Sequence, residues 1–120
     1  MISISLCMIV KNEAEILARC LDSLAGLMDE IRIVDTGSTD DTKEIARQYT
    51  DLVYDFSWCD DFAAARNFSF SKATKEYIYA PDADEVLDET NRRRFQILKS
   101  ALLPEIEIVT MKYITPAKYN

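Results

Sequence analysis

Histidine is absent from the 120 residues. Imidazole acid–base catalysis and His-ligated zinc are therefore excluded within this chain. Glycine occurs twice and proline three times. Two glycines cannot build a GxGxxG dinucleotide fingerprint, and neither a GxxxxGK[ST] phosphate loop nor a GxSxG nucleophile elbow is present. The apolar runs are short and broken by charges, so none is long enough to span a bilayer. The opening residues carry no basic segment and no small-residue cleavage site, and they read as a first strand rather than a signal peptide. Cysteine is scarce too. Cys7, Cys20 and Cys59 are odd in number and make no metal-ligand spacing. Cys7 and Cys20 sit in apolar patterns and are expected as buried, reduced thiols. That suits the cytosol, so a cytoplasmic protein is expected, at the inner membrane face if the full-length chain is longer.

What is present describes one folded domain. Hydrophobic residues make up 48% of the chain, enough for a core of its own. Acidic residues number 21 against 14 basic ones, a net charge of -7. Such a surface repels duplex nucleic acid, whose affinity for proteins comes mainly from Lys and Arg. A small phosphate ligand held through a metal is still admitted.

Strands are expected at residues 2–10, 31–34, 52–56, 77–80 and 106–114. Between them lie four helical patterns. In the first, Asn12 is placed as N-cap with Glu15 three residues on, as in a capping box, and Ile16, Leu17, Cys20, Leu21, Leu24, Leu27 and Met28 form its apolar stripe. Ile45, Ala46 and Tyr49 mark the second, residues 62–73 the third and 89–103 the fourth. Ser38, Thr39 or Asp40 is expected to cap the second. Alternation of strand and helix predicts an α/β fold with a mostly parallel sheet and helices on its faces. Ligands of such sheets sit at the carboxyl ends of the strands. Three polar clusters fall there: Lys11-Asn12-Glu13, Asp35-Thr36-Gly37-Ser38 and Asp82-Ala83-Asp84-Glu85.

The last cluster carries the most chemistry. Three carboxylates in four positions repel each other, and a hard divalent cation relieves that repulsion. Mg²⁺ or Mn²⁺ there would bridge the acidic turn to a diphosphate. The plainer alternative is a solvated turn, with Asp88 or Glu89 favouring the helix N-terminus that follows. Asp35 ends the second strand. It can accept hydrogen bonds from a base or ribose, or order the turn after it as an Asx residue, and both roles can coexist. Arg66, among alanines, can reach a nucleotide or make a surface ion pair. Trp58 and Tyr54 can stack on a base or lie partly buried. Arg92-Arg93-Arg94 reads as a solvated helix face.

Taken in order, Ser5-Leu6-Cys7-Met8-Ile9-Val10-Lys11-Asn12-Glu13, Ile33-Val34-Asp35-Thr36-Gly37-Ser38-Thr39-Asp40-Asp41-Thr42, Phe62-Ala63-Ala64-Ala65-Arg66-Asn67-Phe68 and Asp82-Ala83-Asp84-Glu85 resemble the family 2 glycosyltransferases of GT-A fold. The nearest branch is a bacterial one with KNE, VDTGSTD and DADE motifs. The resemblance implies a Rossmann-like GT-A sheet and transfer, with inversion, of a sugar from a nucleotide-diphosphate-sugar, often UDP-linked, to a glycan, lipid or protein acceptor. It implies that Ile9, Lys11, Asn12, Glu13, Asp35, Arg66 and Asp82 contact the nucleotide-sugar and that Asp84, with Asp82, ligates Mg²⁺ or Mn²⁺. Many members carry a second Asp where this chain has Thr36, which bears on the base contacts. The family's catalytic base lies downstream of Asn120, so residues 1–120 are expected to be the N-terminal nucleotide-binding portion, inactive alone and prone to form a homo-oligomer.

Two other readings share some of these features. A receiver-like signalling domain would place an acidic pair after the first strand, where Lys11-Asn12 stands. A nucleotidyltransferase would show a Gly- and Arg-rich loop near the first strand, and none is visible.

Overall fold

A computed structural model describes residues 2–101 and 114–116. Its elements are β1 (Ile4–Val10), α1 (Leu17–Ser23), β2 (Glu30–Asp35), α2 (Thr42–Arg47), β3 (Val53–Asp55), α3 (Phe62–Ser71), β4 (Tyr77–Tyr79), α4 (Glu89–Ala101) and β5 (Ile114–Pro116). One sheet contains all five strands in the order β3-β2-β1-β4-β5. The first four run parallel, and β5 pairs antiparallel with β4.

β1 is central and covered on both faces, which is why its sequence is an almost unbroken apolar run. Period-two alternation divides its side chains. Ile4, Leu6, Met8 and Val10 join a buried cluster with Leu17, Cys20, Leu21 and Leu24, Ala46 of α2 and Phe95 of α4. Each large aliphatic side chain buried there contributes about 1.5–3 kcal/mol. The alternate residues Cys7 and Ile9 line a cleft with Ser69 and Phe70, so α3 lies on the opposite face. Phe95 also meets Tyr79 edge to face, ring centroids 5.2 Å apart, which ties α4 to β4.

The α/β architecture agrees with the pattern of alternating elements. Two expectations about α1 are corrected. Asn12 does not cap it: its backbone is left-handed, φ 52°, and its Oδ1 accepts from the Thr39 amide at 2.8 Å. Glu15 makes no capping box, and the helix starts at Leu17, after a turn in which the Glu13 carbonyl accepts from the Ile16 and Leu17 amides. The helix also ends early, at Ser23. Gly26 has φ 80°, a conformation that lets the chain leave the helix while Leu27 still reaches the core. At α2 the N-cap position is Asp41, which makes no side-chain cap, while Asp40 Oδ1 accepts from the Thr42 amide at 3.0 Å. The fifth strand expected at 106–114 falls on residues outside the described ones, apart from Ile114.

Candidate functional site

The chain builds outward from β1 through β2 to β3, then returns to place β4 on the other side of β1. The order therefore reverses between β1 and β4. In open parallel sheets, the crevice beyond the strand ends at such a point binds ligands. Register aligns the ends of β1, β2 and β3, Val10 pairing with Asp35 and Asp35 with Asp55, while β4 pairs with β1 as far as Leu6 and Tyr79.

The loop after β1 is stitched to the loop after β2. The Asn12 amide donates to Ser38 Oγ at 2.9 Å, the Glu13 amide to Thr42 Oγ1 at 2.7 Å and the Ala14 amide to Asp40 Oδ2 at 3.3 Å. Thr42, fully buried, also donates its hydroxyl to Asp40 Oδ1. Asp35 is 4% exposed. Its Oδ1 accepts from the Gly37 and Ser38 amides, each at 2.8 Å. This is the Asx-turn arrangement, and Gly37, with φ 113°, permits the bend. The buried Oδ2 has no hydrogen-bond partner among the described residues, so one oxygen orders the turn and these residues leave the other unused. Thr36 is buried and donates to the Val10 carbonyl from both its amide and its hydroxyl.

After β4, Pro81 and Ala83 are buried while Asp82 and Asp84 are exposed and Glu85 is half-exposed. The apolar pair thus anchors the turn and throws the carboxylates outward. The Glu85 amide donates to the Asp82 carbonyl, and the Asp82 amide to Glu85 Oε1, at 3.0 and 3.3 Å. Carboxylate oxygens of Asp82, Asp84 and Glu85 lie within 4.8 Å of one another. Among the described residues no Lys or Arg lies in salt-bridge range of them. The field is felt at Glu13. Burial pushes its carboxyl up, and the charges of Asp82, Asp84 and Asp40 push the same way, against a hydrogen bond from the Lys11 amide. A close, unneutralised set of hard oxygen donors fits Mg²⁺ or Mn²⁺.

Ile9, Arg66 and Asp82 meet around a cleft of about 60 Å³ between β1, α3 and the turn after β4, with Cys7, Phe62 and Ser69 also lining it. Lys11 and Asn12 are exposed and Glu13 half-exposed; they and Asp35 lie outside its lining, and Asn12 and Glu13 line a separate hollow with Asp40. Arg66 makes no ion pair among the described residues; its guanidinium lies over the Phe62 ring, 4.9 Å from the centroid. The surface ion pair considered for it is therefore not formed with any described residue. Trp58 is 43% exposed and its Nε1 donates to Asp60, while the Tyr54 hydroxyl accepts from Arg32. The Arg92-Arg93-Arg94 run is corrected in part. Arg92 donates to the carbonyls of Ser23 and Ala25, at 2.6 and 3.0 Å, capping the end of α1. Asp88 accepts from the Asn91 amide, as a residue heading α4 should. Sequence reasoning passed over Thr42 and Phe62. The first carries no signal apart from its motif; the second stands four residues before Arg66, a spacing that puts both on one helix face.

A profile of glycosyl transferase family 2 matches residues 5–95. A TPR repeat-containing protein of Synechococcus elongatus is 47% identical over 87 residues, covering 72% of this chain and 22% of that protein. The SPbeta prophage-derived glycosyltransferase SunS of Bacillus subtilis is 36% identical over 111 residues, covering 88% of this chain and 26% of its own length. The chain thus spans about a quarter of the length of these curated relatives. Among solved structures, S. aureus TarS residues 1–349 superimposes with a TM-score of 0.66 at 23% identity, covering 82% of this chain and 32% of that one. Glucosyl-3-phosphoglycerate synthase of Mycobacterium tuberculosis, in complex with Mn²⁺ and UDP-glucose, gives 0.61 at 23% identity, covering 71% and 34%. These likenesses establish the GT-A fold.

Proposed function

The chain belongs to glycosyl transferase family 2, and on that premise we propose that it is the donor-binding portion of an inverting transferase using a nucleotide-diphosphate-sugar, UDP-linked by preference. Membership of this family displaces the receiver and nucleotidyltransferase readings. The observation that carries the proposal is the unneutralised trio Asp82, Asp84 and Glu85 beside the crevice where strand order reverses. A diphosphate there meets repulsion at short range unless a cation intervenes. Asp84, with Asp82, would hold Mg²⁺ or Mn²⁺, which when bound would neutralise the departing diphosphate. The mycobacterial synthase, crystallised with Mn²⁺ and UDP-glucose, supports both the metal and the uridine.

The chain's own residues divide the remaining work. Asp35 Oδ2, buried and without a partner among the described residues, suits a base N–H or ribose hydroxyl, because a ligand donor would satisfy it at no cost to the turn. Asp82 is shared between ribose and metal. Arg66 offers N–H donors to the nucleotide from across the cleft. Ile9 supplies an apolar wall. Lys11, Asn12 and Glu13 form the rim, held in place by Ser38, Thr39 and Thr42. The acceptor is a glycan, lipid or protein hydroxyl, the net charge of -7 disfavours nucleic acid, and a homo-oligomer is part of the same reading. Among the described residues no helix is long and apolar enough to cross a membrane.

The test is calorimetric. UDP is expected to bind in Mn²⁺ and hardly at all in EDTA. The same weak affinity in both would remove the metal from the proposal.

A further inference from the structure

Phe62 is an anomaly on α3. It is a large apolar side chain, 51% exposed, at the mouth of a cleft rather than in the core. Its place is set locally. Asp61 caps the helix, its Oδ1 accepting from the Ala64 amide at 3.2 Å, so Phe62 opens the first turn. Arg66 stands four residues on, and Ala63, Ala64 and Ala65 between them offer nothing that could hold a long side chain. The guanidinium therefore rests on the Phe62 ring. No carboxylate of the described residues competes for it, and no described oxygen accepts from its N–H groups. A cation–π contact uses the charge of the guanidinium and leaves its donors free.

We propose that Phe62 is a positioning residue: its ring holds the Arg66 guanidinium over the cleft, donors free, for the anionic or carbonyl groups of a nucleoside diphosphate. An unsupported arginine loses side-chain freedom when it engages a ligand, and one already laid against a ring loses less. An aspartate in the place of Phe62 would also fix the guanidinium, but it would occupy the donors and cancel the charge. The ring fixes the group without spending either. The inference rests on the nucleotide-binding role proposed above and adds to it a residue that would act only through Arg66.

The experiment is a double-mutant cycle read by UDP calorimetry in Mn²⁺ on the wild type, Phe62→Leu, Phe62→Tyr, Arg66→Ala and the Phe62→Leu/Arg66→Ala double variant. Phe62→Leu is expected to weaken UDP roughly two- to five-fold, and Phe62→Tyr to restore it. Arg66→Ala should weaken it on the order of ten-fold, and the double variant should be no weaker than Arg66→Ala alone. Thermal unfolding should be the same for all five, since the ring is half-exposed. Wild-type affinity in Phe62→Leu would overturn the inference. So would a loss that persists undiminished in the Arg66→Ala background, because Phe62 would then touch the nucleotide itself. Failure of the wild type to bind UDP at all would instead overturn the proposed function, and the inference with it.

Discussion

Two carboxylates, both near the strand ends, differ in what the protein asks of them. Asp35 is buried and its Oδ1 is committed to two backbone amides. Asp84 is exposed and accepts no hydrogen bond from the described residues. Asp35→Ala should therefore cost about 1–3 kcal/mol of stability in urea unfolding and weaken uridine with or without metal. Asp84→Asn should leave stability within about 0.5 kcal/mol and abolish the Mn²⁺ dependence of UDP binding. Equal effects on uridine would show that the two do the same job. Asn12 offers a second contrast. Its left-handed backbone disfavours most side chains by about 1–2 kcal/mol, and its Oδ1 joins two loops. Asn12→Ala should destabilise more than Asn12→Gly, since glycine restores the permitted conformation; the reverse order would show that the backbone there is unstrained. This residue also shows where sequence reading stops. A polar residue ahead of an apolar stripe signals a cap, but its partner, Thr39, lies across a loop pairing that local pattern does not encode. The turn role of Asp35 was readable because an Asx turn is local; the oxygen left without a partner among the described residues was not, since it depends on what buries it.

The elements were largely legible because each has one strong signature. β1 is a run buried on both faces, and α3 and α4 carry helical spacing. What escaped was set by partners distant in sequence. The antiparallel direction of β5 leaves no mark on its own residues, and the shortness of α1 follows from loop bonds and from Arg92, which reaches back from α4 to its end. Lys99 is the further case: a lysine 7% exposed, donating to the Leu27 carbonyl and Asp29 Oδ2, both at 2.8 Å. It pins α4 against the segment entering β2, where Asp29 also accepts from the Ile4 amide. Lys99→Met should cost about 1–3 kcal/mol, measured by urea unfolding, because Asp29 keeps its charge and loses its cation. The same region sets an acid limit. Burial raises the Glu30 carboxyl, but hydrogen bonds from Arg32, Ser5 and Thr74 outweigh it and hold it at about 2, against an ordinary 4.5. Asp29 is likewise lowered, with burial opposing it and the Lys99 and Ile4 hydrogen bonds prevailing. Both are charged more readily in the folded state than in the unfolded one. Their contribution is thus complete above about pH 5 and drains away as pH falls toward 2. Glu30→Gln should flatten that part of the stability–pH curve; an unchanged acid limb would mean that other carboxylates govern it.

At the scale of the molecule, the crevice at the strand-order reversal gathers donor-side groups. Asp82 and Asp84 would face the proposed cation, Asp35 turns one oxygen to its own loop, and Arg66 and Phe62 line the same cleft as Asp82. Inverting transfer needs one group more: a base within hydrogen-bond reach of the acceptor hydroxyl as it attacks the anomeric carbon. A carboxylate holding ribose or the metal that bridges to the diphosphate faces the leaving group, on the wrong side of that carbon for in-line attack. The base is therefore expected outside the donor-side set. The relatives matched are roughly four times as long as the segment they share with this chain. Purified as these 120 residues, the protein should bind UDP in Mn²⁺ with the residue dependences argued above, and should transfer no sugar from a UDP-linked donor to an added acceptor. The two readouts separate the claims. Binding without transfer is the expected result. Transfer that survives dilution and repurification would show that a base lies within these 120 residues, with Glu13, whose carboxyl is raised by burial and by the neighbouring carboxylates, the first to be replaced by Gln in search of it.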